Sequence, residues 1–157
     1  MTEVNGLRLA YSGFVAGLAG AYVWAAMTML LGALLDGDPL AMLRPIATAI
    51  SPLAGSPELA FVLGLAAVQA TGGFIGLCFA YFFGRFFTVR PTLGVAAPVV
   101  AILAWAVIGG LVARGDSGPG VATHAAPLLA TLAYGVLLGA GTPVRGEVLR
   151  QSGSPST

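Results

Sequence analysis

From Leu59 to Gly84 the chain carries no charged residue; Glu58 precedes the stretch and Arg85 ends it. As a helix it would cross a hydrocarbon layer about 30 Å thick, which takes about 20 apolar residues. Few soluble folds accommodate such a segment. Within it Gly72, Gly76, Ala80 and Gly84 recur every fourth residue, so they form one bare ridge along a helix. In lipid such a ridge is a docking surface, because close backbone packing takes the place of the hydrophobic effect. The ridge makes this segment the expected central helix. Gln69, near its middle, is the only side-chain amide in any apolar stretch.

The rest of the chain has the same character. Residues with apolar side chains make up 57% of it and charged ones 8%, with a mean hydropathy of +0.92. A soluble domain has about three times that share of charge. Hydropathy marks four spans: Leu9 to Leu35, Leu59 to Gly84, Leu93 to Ala113, and Ala122 to Gly141. Each is long enough to cross. The N-terminus makes a poor secretory signal, since its apolar region is too long and no good cleavage site follows. It is read as the first anchor. The expected fold is an all-α, polytopic membrane protein: a four-transmembrane-helix bundle over residues 1–144, followed by a polar tail, 145–157.

Arginine sets the orientation. With the N-terminus inside, Arg8, Arg85, Arg90, Arg145 and Arg150 are cytoplasmic. Arg44 and Arg114 lie outside with Asp36, Asp38, Glu58 and Asp116. Both termini are therefore expected in the cytoplasm, and an inner membrane is the expected location. A net charge of +1 gives no reason to expect nucleic acid.

The first span carries Gly13, Gly17, Ala21 and Ala25 at four-residue spacing. As the antiparallel neighbour of the second, it is the natural partner for that ridge. Thr131, Gly135 and Gly139 repeat the device in the fourth span. Pro98 removes a backbone bond near the start of the third and should kink it. In the outer link, Asp38-Pro39 reads as a helix start, an acidic cap before proline. Pro45 then breaks the helix, leaving either a short amphipathic piece on the membrane surface or a loop over the bundle mouth. Ala70-Thr71-x-x-Phe74 resembles Ala130-Thr131-x-x-Tyr134, a faint internal repeat that two duplicated hairpins would explain.

No Asp, Glu, Lys or Arg falls inside any span. Such charges mark proton relays and ion paths, so a pump working through a membrane carboxylate is not expected. Cys78 is the sole cysteine, which rules out an internal disulfide or a CxxC pair. His124 is the sole histidine, too few for a bis-histidine haem or a histidine metal site. It reads as an interfacial polar residue. Asp36-Gly37-Asp38 offers too few oxygens for calcium and reads as a turn. Ser12 and Ser51 lack a nucleophile elbow, and no phosphate loop is present. No catalytic site, cofactor or metal is expected, so the chain is not read as an enzyme.

One cluster remains. Tyr22 and Trp24, Gln69 and Thr71, Trp105, and Thr131 and Tyr134 all fall near mid-span. Polar groups facing hydrocarbon are costly, so these should turn inward and bond to one another. Two readings follow. Trp24, Gln69, Thr71, Trp105, Thr131 and Tyr134 could line a ligand pocket, as in a transporter or channel for a neutral solute. Alternatively they form a network that fixes helix packing. The second is preferred, because nothing in the layer ionises near neutral pH.

Several of these stretches also resemble a known family. GFVAGLAGAYVWAAMTML in the first span, the outer segment Arg44 to Ala47, the glycine-led start of the second span, and the run Ala130 to Gly139 together look like the YagU-type bacterial inner-membrane proteins. That family has four helices and no settled biochemical activity. Its members often carry histidine within the second and fourth spans, about where Gln69 and Thr131 stand here. The resemblance implies the four-helix fold, and a cofactor or proton role for those histidines would be lost in this chain. The function expected is a small integral membrane protein, an accessory or structural subunit whose partners are the bilayer and either a second copy or a larger membrane complex.

Overall fold

The computed structural model describes residues 6–52, 55–84, 90–113 and 125–142. They form five helices and no strand: α1 (Gly6–Leu35), α2 (Leu43–Ile50), α3 (Pro57–Phe83), α4 (Arg90–Ala113) and α5 (Ala125–Gly141). The fold is all-α. Two of the helices, α1 and α3, are long and apolar enough to cross a membrane. Among the described residues the apolar stretches of α4 and α5 are shorter, Thr92–Val107 and Pro127–Gly141.

α1 contains no proline and ends where its sequence says it must. Gly37 takes a left-handed backbone, φ 69°, a conformation that costs glycine least. The Asp36 and Asp38 N–H groups then donate back to Gly32 O at 2.9 and 3.2 Å. α3 begins on Ser56-Pro57-Glu58. The Ser56 hydroxyl accepts from the Leu59 N–H at 3.3 Å, proline takes the first helical position, and glutamate lies in the first turn. All three choices suit a helix N-terminus, and they extend the helix two residues ahead of the apolar run.

The helices pack in the order α3, α1, α5, α4. α1 packs extensively on both α3 and α5, while α4 leans on α5. The central helix is therefore α1 rather than the segment beginning at Leu59. The reason is visible in its residues. α1 presents small residues to two neighbours: Gly13 and Gly17 toward α3, and Gly20 toward α5. Among the long helices α3 presents one such face, toward α1; its Gly64 meets the short α2. α3 and α4 are consecutive in sequence but barely touch.

Contact between α1 and α3 is backbone to backbone. A Cβ on Gly17 would lie 3.0 Å from Gly76 Cα and would collide with Gly72 O. One on Gly76 would lie 2.7 Å from Gly17 Cα and would collide with Gly13 O. Gly13 likewise faces Gly76 and Ala80. Gly84 stands at the end of this seam, with Leu9 Cδ2 3.4 Å from its Cβ position. On the far side, Gly135 and Gly139 do not meet another glycine ridge. They pack on α4: a Cβ on Gly135 would lie 2.5 Å from Pro98 Cα, and one on Gly139 3.0 Å from Leu93 O. α4 runs as one helix through Pro98, and Gly135 supplies the room its ring region requires.

The outer link differs from the expectation at Asp38-Pro39. Residues 39–42 form turns, and the helix starts at Leu43. Asp38 does cap those turns: Oδ1 accepts from the Leu40 N–H at 2.9 Å, as an N-cap carboxylate does, and Oδ2 pairs with Arg44 at 3.0 Å. Pro45 falls in the first turn of α2, where a missing N–H breaks no intrahelical bond, so it begins this helix instead of interrupting it. α2 packs on α3 and touches α4. Leu43 and Ala47 are fully buried, and Leu43 O seats 2.8 Å from the Gly64 Cβ position.

Burial is distributed in an unusual way. The core residues are mainly small: Ala16, Ala21, Ala25, Ala80, Ala97, Ala101 and Ala130, with the glycines between them. Large apolar side chains such as Leu34, Phe74, Val95, Leu103 and Val136 face outward. Only 28% of the apolar window of α1 and 22% of that of α3 are buried within the chain, whereas the core helix of a water-soluble protein is mostly covered.

Candidate functional site

The mid-span polar residues meet where α1, α3 and α5 converge. Trp24 Nε1 donates to Thr131 Oγ1 at 3.1 Å and joins α1 to α5. The Tyr134 hydroxyl donates to Gly72 O at 2.8 Å and joins α5 to α3. Gln69, with its amide turned so that both polar atoms are satisfied, donates from Nε2 to Leu18 O at 3.2 Å. Its Oε1 accepts from the Tyr22 N–H at 3.3 Å, and so joins α3 to α1. Each pair in this trio of helices is thus tied by hydrogen bonds at mid-span.

The glycines make these contacts possible. The Tyr134 ring lies in a slot between two of them, 2.7 Å from the Gly20 Cβ position and 3.4 Å from that of Gly72. Any side chain at Gly20 would displace the ring and pull its hydroxyl from α3. Gln69 reads a different feature. Leu18 O and the Tyr22 N–H are the two ends of one helical turn, so the amide lies across a turn of α1 and shares groups that already have each other.

Three hydroxyls bond within their own chain segment. Thr28 Oγ1 donates to Trp24 O and Ala25 O, both at 3.0 Å. The Thr142 hydroxyl donates to Leu138 O at 2.7 Å, and that of Ser12 to Leu9 O at 2.9 Å. Among the described residues no buried side-chain nitrogen or oxygen lacks a partner. No group of three or more His, Cys, Asp or Glu residues among them could hold a metal ion.

Four of the six expected layer residues therefore come together: Trp24, Gln69, Thr131 and Tyr134. The other two do not join. Thr71 is half-buried on α3 and makes no bond with the four. Trp105 is also half-buried. The pairing of Ala101 with Gly135 and of Ala97 with Gly139 carries it to the level of Thr131, but no hydrogen bond links it there. Its helix leans mainly on α5, at the edge of the trio. Tyr22 departs further from the expectation. Its backbone serves Gln69, while its side chain turns outward, 59% exposed.

The proposed repeat also separates in space. Tyr134 is 6% exposed and its counterpart Phe74 is 65% exposed; Ala130 is buried and Ala70 exposed. The two motifs occupy opposite environments, so their likeness is not a shared structural role. His124, Asp116, Arg114 and the tail from Arg145 lie outside the described residues. Sequence reasoning missed Gly20 and Gly72 as the walls of the Tyr134 slot. The signal was present, since Gly20 sits off the main ridge of α1, where a second neighbour would need it.

The site thus defines a class: a helical protein with a small-residue core, an apolar exterior and a hydrogen-bonded layer at its centre. No known protein family, curated protein or solved structure matches the chain.

Proposed function

We propose that the chain is a multi-pass integral membrane protein in which α1, α3, α4 and α5 all cross the bilayer and both ends lie in the cytoplasm. It acts without catalysis of its own, as a small structural or accessory subunit that packs against a second copy or a larger membrane complex. The observation that carries this reading is the inverted burial pattern. Glycine and alanine fill the interior while leucine, valine and phenylalanine face out. In water that exterior would be a very large apolar surface, far beyond what monomeric soluble proteins expose. In lipid it is solvated, and the small-residue interior supplies the packing that holds helices together. The four-span arrangement is also what the likeness to the YagU-type proteins implies.

The competing reading is a transporter for a neutral solute. It needs polar groups directed at a solute, and the hydrogen bonds of Trp24, Gln69, Thr131 and Tyr134 are already made within the protein. That favours a packing role for the layer. The test is purification of the full chain from native membranes in a mild detergent, after alkaline carbonate washing. The account expects the protein to resist the wash and to run as an oligomer or with stoichiometric companions. A protein released by carbonate, or a lone monomer with no companion, would contradict it.

A further inference from the structure

Tyr22, Thr71 and Trp105 are the mid-span polar side chains that the layer leaves out, and Tyr22 is the one of the three that is exposed. It lies near the middle of α1, about 24 Å from Gly6 and about 20 Å from Leu35 at 1.5 Å of rise per residue. A tyrosine side chain cannot span the roughly 15 Å to either edge of the hydrocarbon layer. Depth is fixed independently, because the Tyr22 N–H bonds Gln69 midway along α3. The ring is 59% exposed, and among the described residues its hydroxyl has no partner. An unpaired hydroxyl in hydrocarbon is costly. Trp24, Gln69, Thr131 and Tyr134 show how the chain avoids that cost, since each finds a donor or acceptor on a neighbouring helix.

We infer that the outward face of α1 around Tyr22 is a self-association surface, on which a second copy of this chain docks so that the two Tyr22 hydroxyls meet at mid-bilayer. The inference rests on the membrane reading above and names its partner. A second copy fits for a reason of symmetry. All copies insert with the same orientation, so a two-fold axis along the membrane normal brings every residue opposite its own mate at the same depth. A tyrosine hydroxyl both donates and accepts, so two of them are complementary to each other. The neighbouring outward residues, Val15, Ala19 and Ala26, offer no charge and little bulk to hold the helices apart.

The experiment uses the full chain in the membranes of the expressing cell. Cys78→Ser removes the native thiol, and single cysteines are placed at Tyr22→Cys, Phe74→Cys and Val99→Cys. Phe74 and Val99 face outward on α3 and α4. On mild oxidation, Tyr22→Cys is expected to give a covalent dimer while the other two stay monomeric. Tyr22→Phe keeps the ring and removes the hydroxyl; its dimer midpoint, read by energy transfer on dilution into lipid, should rise about threefold, the effect of one interhelical hydrogen bond. Tyr22→Cys that stays monomeric, equal cross-linking at all three positions, an adduct with a different protein, or an unchanged midpoint for Tyr22→Phe would each overturn the proposal. Failure of the protein to fractionate with membranes would instead remove the reading on which it rests.

Discussion

At the scale of single residues, the layer divides its side chains by what each would leave behind. Gln69 bonds two backbone groups that form one turn of α1. Gln69→Leu should therefore cost about 1 kcal/mol, a typical interhelical hydrogen bond in a membrane, because Leu18 O and Tyr22 N–H keep each other. Unfolding by denaturing detergent, followed by circular dichroism, measures this. Tyr134 is different, since it fills a slot as well as bonding. Tyr134→Phe should lose only the bond to Gly72 O, about 0.6 kcal/mol. Tyr134→Ala also empties the space between Gly20 and Gly72 and should cost about 3 to 5 kcal/mol. Similar losses for the two variants in the same titration would mean that the slot contributes little. The sequence showed that these residues share a depth, but not which way each one points. Tyr22 and Trp24 are two positions apart on one helix, and a rotation of about 100° per residue separates a half-buried, hydrogen-bonded indole from an exposed phenol. That rotation is set by the neighbours, and the neighbour α5 was not assignable from the α1 sequence.

At the scale of elements, the small-residue spacing predicted which helix α1 would meet first, since consecutive antiparallel spans with matching ridges pack closely. It did not predict that α1 has two such faces. The second face comes from single glycines, Gly20 among them, and single glycines look like background in a chain this rich in them. The glycines are consequently not equivalent. At Gly76 an added methyl meets the Gly17 backbone at 2.7 Å, whereas at Gly94 it meets nothing within 4 Å. Gly76→Ala should destabilise by about 1 to 3 kcal/mol, the usual cost of overpacking. Gly94→Ala should be neutral or stabilising by up to about 1 kcal/mol, through helix propensity. Paired melts in detergent give the comparison; equal effects would show that the α1–α3 seam yields easily. The outer link was misread for a local reason. Asp38 caps the segment as Asp-Pro suggests, through the Leu40 N–H, but residues 39–42 form turns and the regular helix starts only at Leu43, docked over Gly64. Ser56-Pro57-Glu58, which a span read from hydropathy as beginning at Leu59 passes over, marks the true start of α3.

At the scale of the whole molecule, the all-α fold follows from hydropathy and from the need to satisfy backbone groups internally. The order α3, α1, α5, α4 does not, because it depends on which small faces find each other after insertion. The central claim is that all four long helices cross the bilayer, although α1 and α3 alone carry the longest apolar windows. Two crossings and four crossings differ at one loop. If only α1 and α3 span, everything after Gly84 stays on the cytoplasmic side; if four span, the link between α4 and α5 is outside. The direct measurement places single cysteines at Glu58, Thr88, Asp116 and Ser154 of the full chain, in a Cys78→Ser background, and labels intact cells with an impermeant maleimide. The account predicts labelling of Glu58→Cys and Asp116→Cys from outside, and of Thr88→Cys and Ser154→Cys only after permeabilisation. Protection of Asp116→Cys together with labelling of Glu58→Cys would contradict it.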